Sequence, residues 1–268
     1  MKTMRRHLTL AALVLGVACA LAAPKRIKNF DVSGTYKSAA AVYQCDDDTV
    51  FTASRVLFQW PTKFGDNNIK ALQDSLISQV FGVRGENIDK AMTEYVTRPW
   101  RYGDSQLTEI DPESLPADAV LLEKNVSVYE MGFNENVIVF KADYFTYGGG
   151  AHPNYYSHFL NYDVKNNKIL YFNDIFENET EADLLRLIKQ WLLAKYYAVD
   201  MDELESDSGI FSDEIVVSRD IYISGEDVVF HYNPYSIAPW SVGSISVPIP
   251  FSELEPYFTP SAKALLIR

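Results

Sequence analysis

Cysteine is nearly missing from this sequence: only Cys19 and Cys45 occur in 268 residues. Cys19 falls in an N-terminal leader, so the remainder keeps one thiol and cannot close an internal disulfide. Cys45 precedes Asp46, Asp47 and Asp48, whose negative charge works against a reactive thiolate, and it reads as structural. Positive charge is also scarce, with 24 Lys and Arg against 36 Asp and Glu and a formal net charge of −12. A surface of that sign repels nucleic-acid phosphates, which excludes nucleic acid as a partner, and it attracts basic proteins. The recognised catalytic signatures are lacking as well. There is no G-x-S-x-G or S-x-x-K nucleophile motif, no G-x-x-x-x-G-K-[ST] phosphate loop and no H-E-x-x-H zinc motif. The acidic clusters at 46–48 and 200–207 do not follow the calcium-loop pattern and read as solvated loops. No cofactor is implied.

The first residues, MKTMRRHLTLAALVLGVACALAAPKR, supply what an export signal needs. Lys2, Arg5 and Arg6 precede a short apolar run, and Ala20-Leu21-Ala22 offers an A-x-A cleavage site. The run is shorter than the roughly 20 apolar residues of a spanning helix, and no second such run follows, so no transmembrane segment remains after cleavage. Removing residues 1–22 takes away those three cations and moves the formal charge from −12 to −15. Lipidation of Cys19 is the alternative processing route. The protein is therefore expected to be exported, periplasmic or in the cell envelope.

Beyond a polar tether at 23–38, strand-like residues at 51–60 precede a helix in which Ile69, Leu72, Leu76, Ile77 and Val80 share one face behind an Asp66/Asn67 cap. A second helix is expected at 86–100, with Ile88, Met92, Tyr95 and Val96 inward. The acidic, proline-containing stretch 104–118 reads as a loop. Three β-rich runs follow at 120–131, 136–147 and 155–164, with turns at 132–135 and at Asn166-Asn167. Asn178 and Glu181 form a capping-box pattern before a helix that turns Leu184, Ile188, Trp191 and Leu192 inward. A hairpin around 224–226, a proline-flanked loop NPYSIAPW and a last strand SISVPIPF close the pattern. Strands and helices are grouped and do not alternate. That predicts an α+β fold: antiparallel sheets with helices on one face, in two intimately packed subdomains.

The stretch FTYGGGAHPN at 145–154 is the first candidate site. Tyr147, Gly148, Gly149, Gly150 and His152 combine flexible backbone with an aromatic ring and an imidazole. Glycine also permits a sharp turn between strands, and Pro153 extends the backbone of His152. A second aromatic loop holds Tyr232, Asn233, Tyr235 and Trp240. Such residues bind proteins or sugars readily, yet they serve equally in turns and cores. The enzymatic alternative is a metal-dependent hydrolase. It would use His152 and His158, which share a strand face, with Asp163 close by in sequence.

Two stretches, YFTYGGGAHPNYYSHFLNYDVKNNKILYFNDIF at 144–176 and VVFHYNPYSIAPWSVGSISVPIPFSEL at 228–254, resemble an exported bacterial domain pair. That pair occurs in the ectodomain of the lysozyme-sensing anti-sigma factor RsiV and in the N-terminal region of the peptidoglycan deacetylase PdaC. The resemblance runs over about residues 40–258. It implies a PdaC-like α+β subdomain at 39–165, an RsiV-like one at 166–258 and a tail at 259–268. Most such domains have no assigned function. Neither a sigma-binding segment nor a deacetylase domain has a counterpart here, so those two activities do not carry over. The resemblance and the acidic charge together imply an envelope binding or sensing module for a basic, lysozyme-like protein or a peptidoglycan-type ligand. They leave the oligomeric state open.

Overall fold

The computed structural model describes residues 29–101, 106–111, 116, 118–133 and 136–267. The leader, Cys19 and the first part of the expected tether lie outside the described residues. β1 (Phe30–Cys45) and β2 (Asp48–Phe64) form a long hairpin closed by Asp46-Asp47, with Asp46 at φ 51°. A two-residue loop needs such left-handed backbone, which aspartate tolerates. Two helices follow, α1 (Ile69–Phe81) and α2 (Ile88–Thr97), and the chain then returns as β3 (Thr108–Ile110) and β4 (Val120–Phe133). β5 (Val137–Tyr147), β6 (Asn154–Asp163) and β7 (Lys168–Leu170) complete a seven-stranded sheet of order β3-β1-β2-β4-β5-β6-β7. All its pairings are antiparallel except β2 with β4. That parallel pair needs a crossover, and the crossover contains α1 and α2.

The two helices cover one sheet face. Leu72, Leu76 and Met92 pack on Val56, Phe58, Val126, Phe140, Leu160 and Tyr162. Their caps are asparagines: Asn68 Oδ1 accepts from Ala71 N–H and Asn87 Oδ1 from Lys90 N–H. The first cap thus stands beyond the expected Asp66/Asn67.

The rest of the chain builds a second layer. α3 (Phe172–Ile175), α4 (Glu181–Tyr196) and α5 (Met201–Ser208) lead to β8 (Ile221–Ser224), β9 (Asp227–Tyr232) and β10 (Ile245–Pro250). α6 (Phe251–Leu254) and α7 (Pro260–Leu266) follow. The strands form a three-stranded sheet, β10-β9-β8. Its core, with Leu184, Ile188, Leu192, Val228 and Phe230, also takes in Val137 and Val139 of β5. β7, past residue 165, pairs with β6, so a cut at 165/166 would part hydrogen-bonded strands. The fold is α+β, as the grouping of elements predicted.

Five local expectations are corrected. Residues 30–38 of the expected tether belong to β1. Over residues 30–38 the strand is ordered by its pairing with β2, and Phe30 and Val32 pack against the core under the helices. The acidic stretch 200–207 contains helix α5: Asp200 caps it by accepting from Glu203 N–H, Gly209 ends it at φ 73°, and Leu204 anchors it. The tail is mostly α7, with Pro260 in its first turn, Thr259 as cap, and Ala262 and Leu266 buried one turn apart. α4 starts without the Asn178 capping box, since its cap residue is Thr180 and no side chain bonds the first turn. Trp191 is only half-buried, and its Nε1–H donates to Glu253.

Candidate functional site

The two loops singled out in the sequence meet. β5 turns into β6 through residues 148–153, where Gly149 sits at φ 80° and a Cβ would come within 3.1 Å of Val120 Cγ1. Gly148 and Gly150 have open space around the same position. Beyond the turn, the His152 ring stacks on Trp240 with centroids 4.4 Å apart and planes at 22°. Tyr155 meets the same indole edge-on at 5.9 Å. His152 Nδ1 lies 3.0 Å from the Pro153 carbonyl and Nε2 lies 3.0 Å from Tyr235 Oη. A carbonyl only accepts, so Nδ1 carries the proton and Nε2 accepts from the tyrosine hydroxyl.

Tyr235 is held in an unusual conformation. Ser236 N–H donates to the Asn233 carbonyl at 3.0 Å, closing a turn with Pro234 second and Tyr235 third, at φ 69°. That third position favours glycine, and a bulky side chain there is strained by about 1–2 kcal/mol. Tyr235 is nevertheless 60% exposed. Strain held at an exposed aromatic is a mark of functional loops.

The other candidates divide. Tyr232 is buried and its hydroxyl donates to the Val216 carbonyl at 2.6 Å, so its position is that of a core residue. Asn233 pins loop to sheet: its Nδ2 donates to the Ser157 carbonyl and to Asp220, while its Oδ1 accepts from Ser157 N–H. Tyr147 is half-buried opposite Glu123 of β4. The proposed metal set does not converge. His152 precedes β6 and Asp163 ends it, about 30 Å further along at 3.3 Å per residue. Asp163 is buried, and its carboxylate accepts from Lys165 N–H, Asn166 N–H and Asn166 Nδ2. His158 pairs instead with Asp220 at 3.3 Å, and that hydrogen bond raises its pKa above 6.5. Among the described residues no group of three His, Cys, Asp or Glu is placed to hold a metal ion.

Several participants gave no sequence signal. Asp143 gathers Tyr129 Oη at 2.8 Å, Ser157 Oγ at 2.6 Å and Lys141 Nζ at 2.9 Å. Partial burial works against its charge, but these bonds prevail and hold its carboxyl below the ordinary value. His231 is buried, with Nε2 on Asn233 Oδ1 and Nδ1 on Ser246 Oγ. Burial lowers its pKa. Since Asn233 Oδ1 accepts, His231 Nε2 carries the proton. Ser157 and Ser246 are thus each committed to a structural bond. Only the sheet register could have brought Asp143 and Ser157 together, through the antiparallel pairing of β5 with β6.

Residues 173–252 match a family described as "Protein of unknown function (DUF3298)". The matched segment runs from α3 into the start of α6, and so contains the Asn233–Trp240 loop. A crystal structure of a DUF3298 member from Bacteroides fragilis NCTC 9343 is similar, at 22% identity and TM-score 0.69 over 87% of this chain and 96% of that one. A DUF3298 family protein from Pseudomonas aeruginosa PAO1 is similar at 16% identity and TM-score 0.57, with the same coverage. At these identities the likeness is one of fold. No curated protein matches the sequence. Among the described residues no helix is long and apolar enough to cross a membrane.

Two clefts lie away from the aromatic junction. One, of about 510 Å³, is bordered by Asp163, Lys168 and α7; the other, of about 620 Å³, by α1, Tyr171 and Asp174. Both stand at the Asp163 end of β6, where Lys168 and Asp174 are already paired at 2.5 Å.

Proposed function

We propose that this protein is an exported, non-catalytic binding or sensing module of the cell envelope, and that its ligand contacts His152, Tyr155, Tyr235 and Trp240. The carrying observation is the meeting of two sequence-distant loops in one aromatic cluster, with Tyr235 exposed and strained at its edge. Tyrosine and tryptophan give large contact area for little lost side-chain entropy, which suits recognition better than turnover. The ends of the resemblance supply the ligand classes: a basic, lysozyme-like protein or a peptidoglycan-type glycan.

Titration of the mature protein with lysozyme and with soluble peptidoglycan fragments, at low and moderate salt, tests the reading. Saturable binding of either, lost in Trp240→Ala while the melting temperature is kept, is the expected result. Absence of binding to both, or binding untouched by Trp240→Ala, would remove the junction as the site. Mass spectrometry of the exported protein tests the leader: a start at Ala23 fits cleavage after residue 22, whereas a lipid-modified Cys19 fits the alternative.

A further inference from the structure

We infer that the ligand is a neutral oligosaccharide, which extends from the aromatic junction to Arg55, Glu123 and Asn125 across the end of the large sheet's helix-free face that carries the exposed Arg55 and Tyr155. This rests on the junction being a binding site. Register places Arg55 opposite Asn125, Asn125 opposite Phe145, and Phe145 opposite Tyr155. These four residues form one row across β2, β4, β5 and β6. The alternate positions Val56, Val126 and Tyr144 pack with the core under α1 and α2, so the row lies on the opposite face. At about 4.8 Å between strands it is about 14 Å long. It ends at Tyr155, whose ring meets Trp240.

The charges along this face cancel. Glu123 is paired with Arg55 and Asp143 with Lys141. The acidic excess of the chain is prominent elsewhere, at the β1–β2 turn and in α5. A basic protein therefore finds no uncompensated acid on the row. Hydrogen-bonding capacity is nevertheless left over at both ends. Asn125 Nδ2 donates to Glu123, but its Oδ1 has no partner among the described residues, and neither does Trp240 Nε1. Both atoms are buried. A buried polar group without a partner is destabilising, and a ligand hydroxyl that reaches it through side-chain rearrangement regains the bond.

The row thus holds an unpaired acceptor near one end and an unpaired donor near the other, each reached once its side chain turns outward, with an arginine–carboxylate pair that can bond neighbouring hydroxyls and aromatic rings between. A neutral sugar chain has hydroxyls that both donate and accept, and apolar C–H faces that lie against rings. A charged peptide or a nucleotide would leave its charge uncompensated here.

Calorimetric titration of the mature protein with the dimer and hexamer of β-1,4-linked N-acetylglucosamine, and with cellohexaose, tests this. We expect at least one hexamer to bind, more tightly than its dimer where both are measured, and Trp240→Ala to abolish binding. Arg55→Ala, an exposed change, should weaken the hexamer about tenfold, as loss of one charged hydrogen bond does, and leave dimer binding and the melting temperature unchanged. Equal affinity for dimer and hexamer, or a hexamer indifferent to Arg55→Ala, overturns the extended site. Lysozyme binding through Trp240 with neither hexamer bound overturns the oligosaccharide and leaves the junction standing as a binding site. Failure of every ligand overturns both.

Discussion

Asn233 pairs its carboxamide with the backbone of Ser157: Nδ2 donates to the carbonyl at 3.0 Å and Oδ1 accepts from the amide at 2.7 Å. A side chain here takes the place of a neighbouring strand on β6. Asn161 does the converse toward β8, donating to the Ile221 carbonyl at 2.8 Å and accepting from Ile223 N–H at 2.9 Å. Two carboxamides thereby join the two sheets and hold the aromatic loop against β6.

Replacing Asn161 with alanine leaves a buried carbonyl and a buried amide without partners, and should lower stability by about 2–4 kcal/mol. Asn233→Ala should lower it by about 1–3 kcal/mol, its site being only half-buried. Urea unfolding of each variant checks the values. A loss below about 0.5 kcal/mol for Asn161→Ala would show that the pairing contributes little to stability.

Gly149→Ala should destabilise by about 1–2 kcal/mol, because alanine is strained at positive φ and its methyl meets Val120. Gly148→Ala and Gly150→Ala, with open space at the methyl, should change stability by less than about 0.5 kcal/mol. Equal thermal shifts for all three would show that the turn does not depend on Gly149 in particular.

Tyr235→Gly relieves the backbone strain but removes the ring and its bond to His152. Melting temperature should be held or rise while ligand binding falls. A variant that melts lower and binds unchanged would mark Tyr235 as a packing residue.

Two histidines give opposite slopes against pH. The Asp220 hydrogen bond raises the His158 pKa above 6.5, so its contribution is fully present below pH 6.5 and is lost as pH rises through the folded-state value. Burial lowers the His231 pKa below 6.5. Acidification from pH 6.5 downward therefore favours the unfolded chain, which takes up the proton first. Asp220→Asn should flatten the alkaline side and steepen the acid side, since Asp220 also helps to hold a proton on His231. Imidazole titration by NMR checks the signs; a His158 midpoint below 6.5 in the unaltered protein would contradict the pairing.

Cys45 is buried, so a thiol reagent should label it slowly in the native state and rapidly in urea. Prompt native labelling would place it at an opening segment.

The periodic elements were legible because their signal is local. Helix α1 shows its face through Leu72, Leu76 and Val80, and the β8–β9 hairpin through the Ser224-Gly225-Glu226 turn. Elements whose stability comes from elsewhere were not legible. The first half of β1 owes its order to the long pairing with β2 rather than to a signal of its own, and α5 and α7 each rest on one or two buried side chains. At the site, composition pointed to the two aromatic loops, but Tyr232 sits among their residues as part of the core, and Asp143 and Asp220 carried no motif.

The sequence by itself determined the α+β class, the acidic charge, the export leader as an expectation, and the glycine turn that Gly149 requires. All of these depend on residues near one another in the chain, where propensity and charge act directly. Only tertiary structure decided that His152 lies on Trp240, that Asp163 stands too far away to share a metal with it, and that Asn161 and Asn233 join the sheets. Those facts depend on strand register and on how one sheet lies against the other, and contacts between residues tens of positions apart leave no periodic trace in the chain.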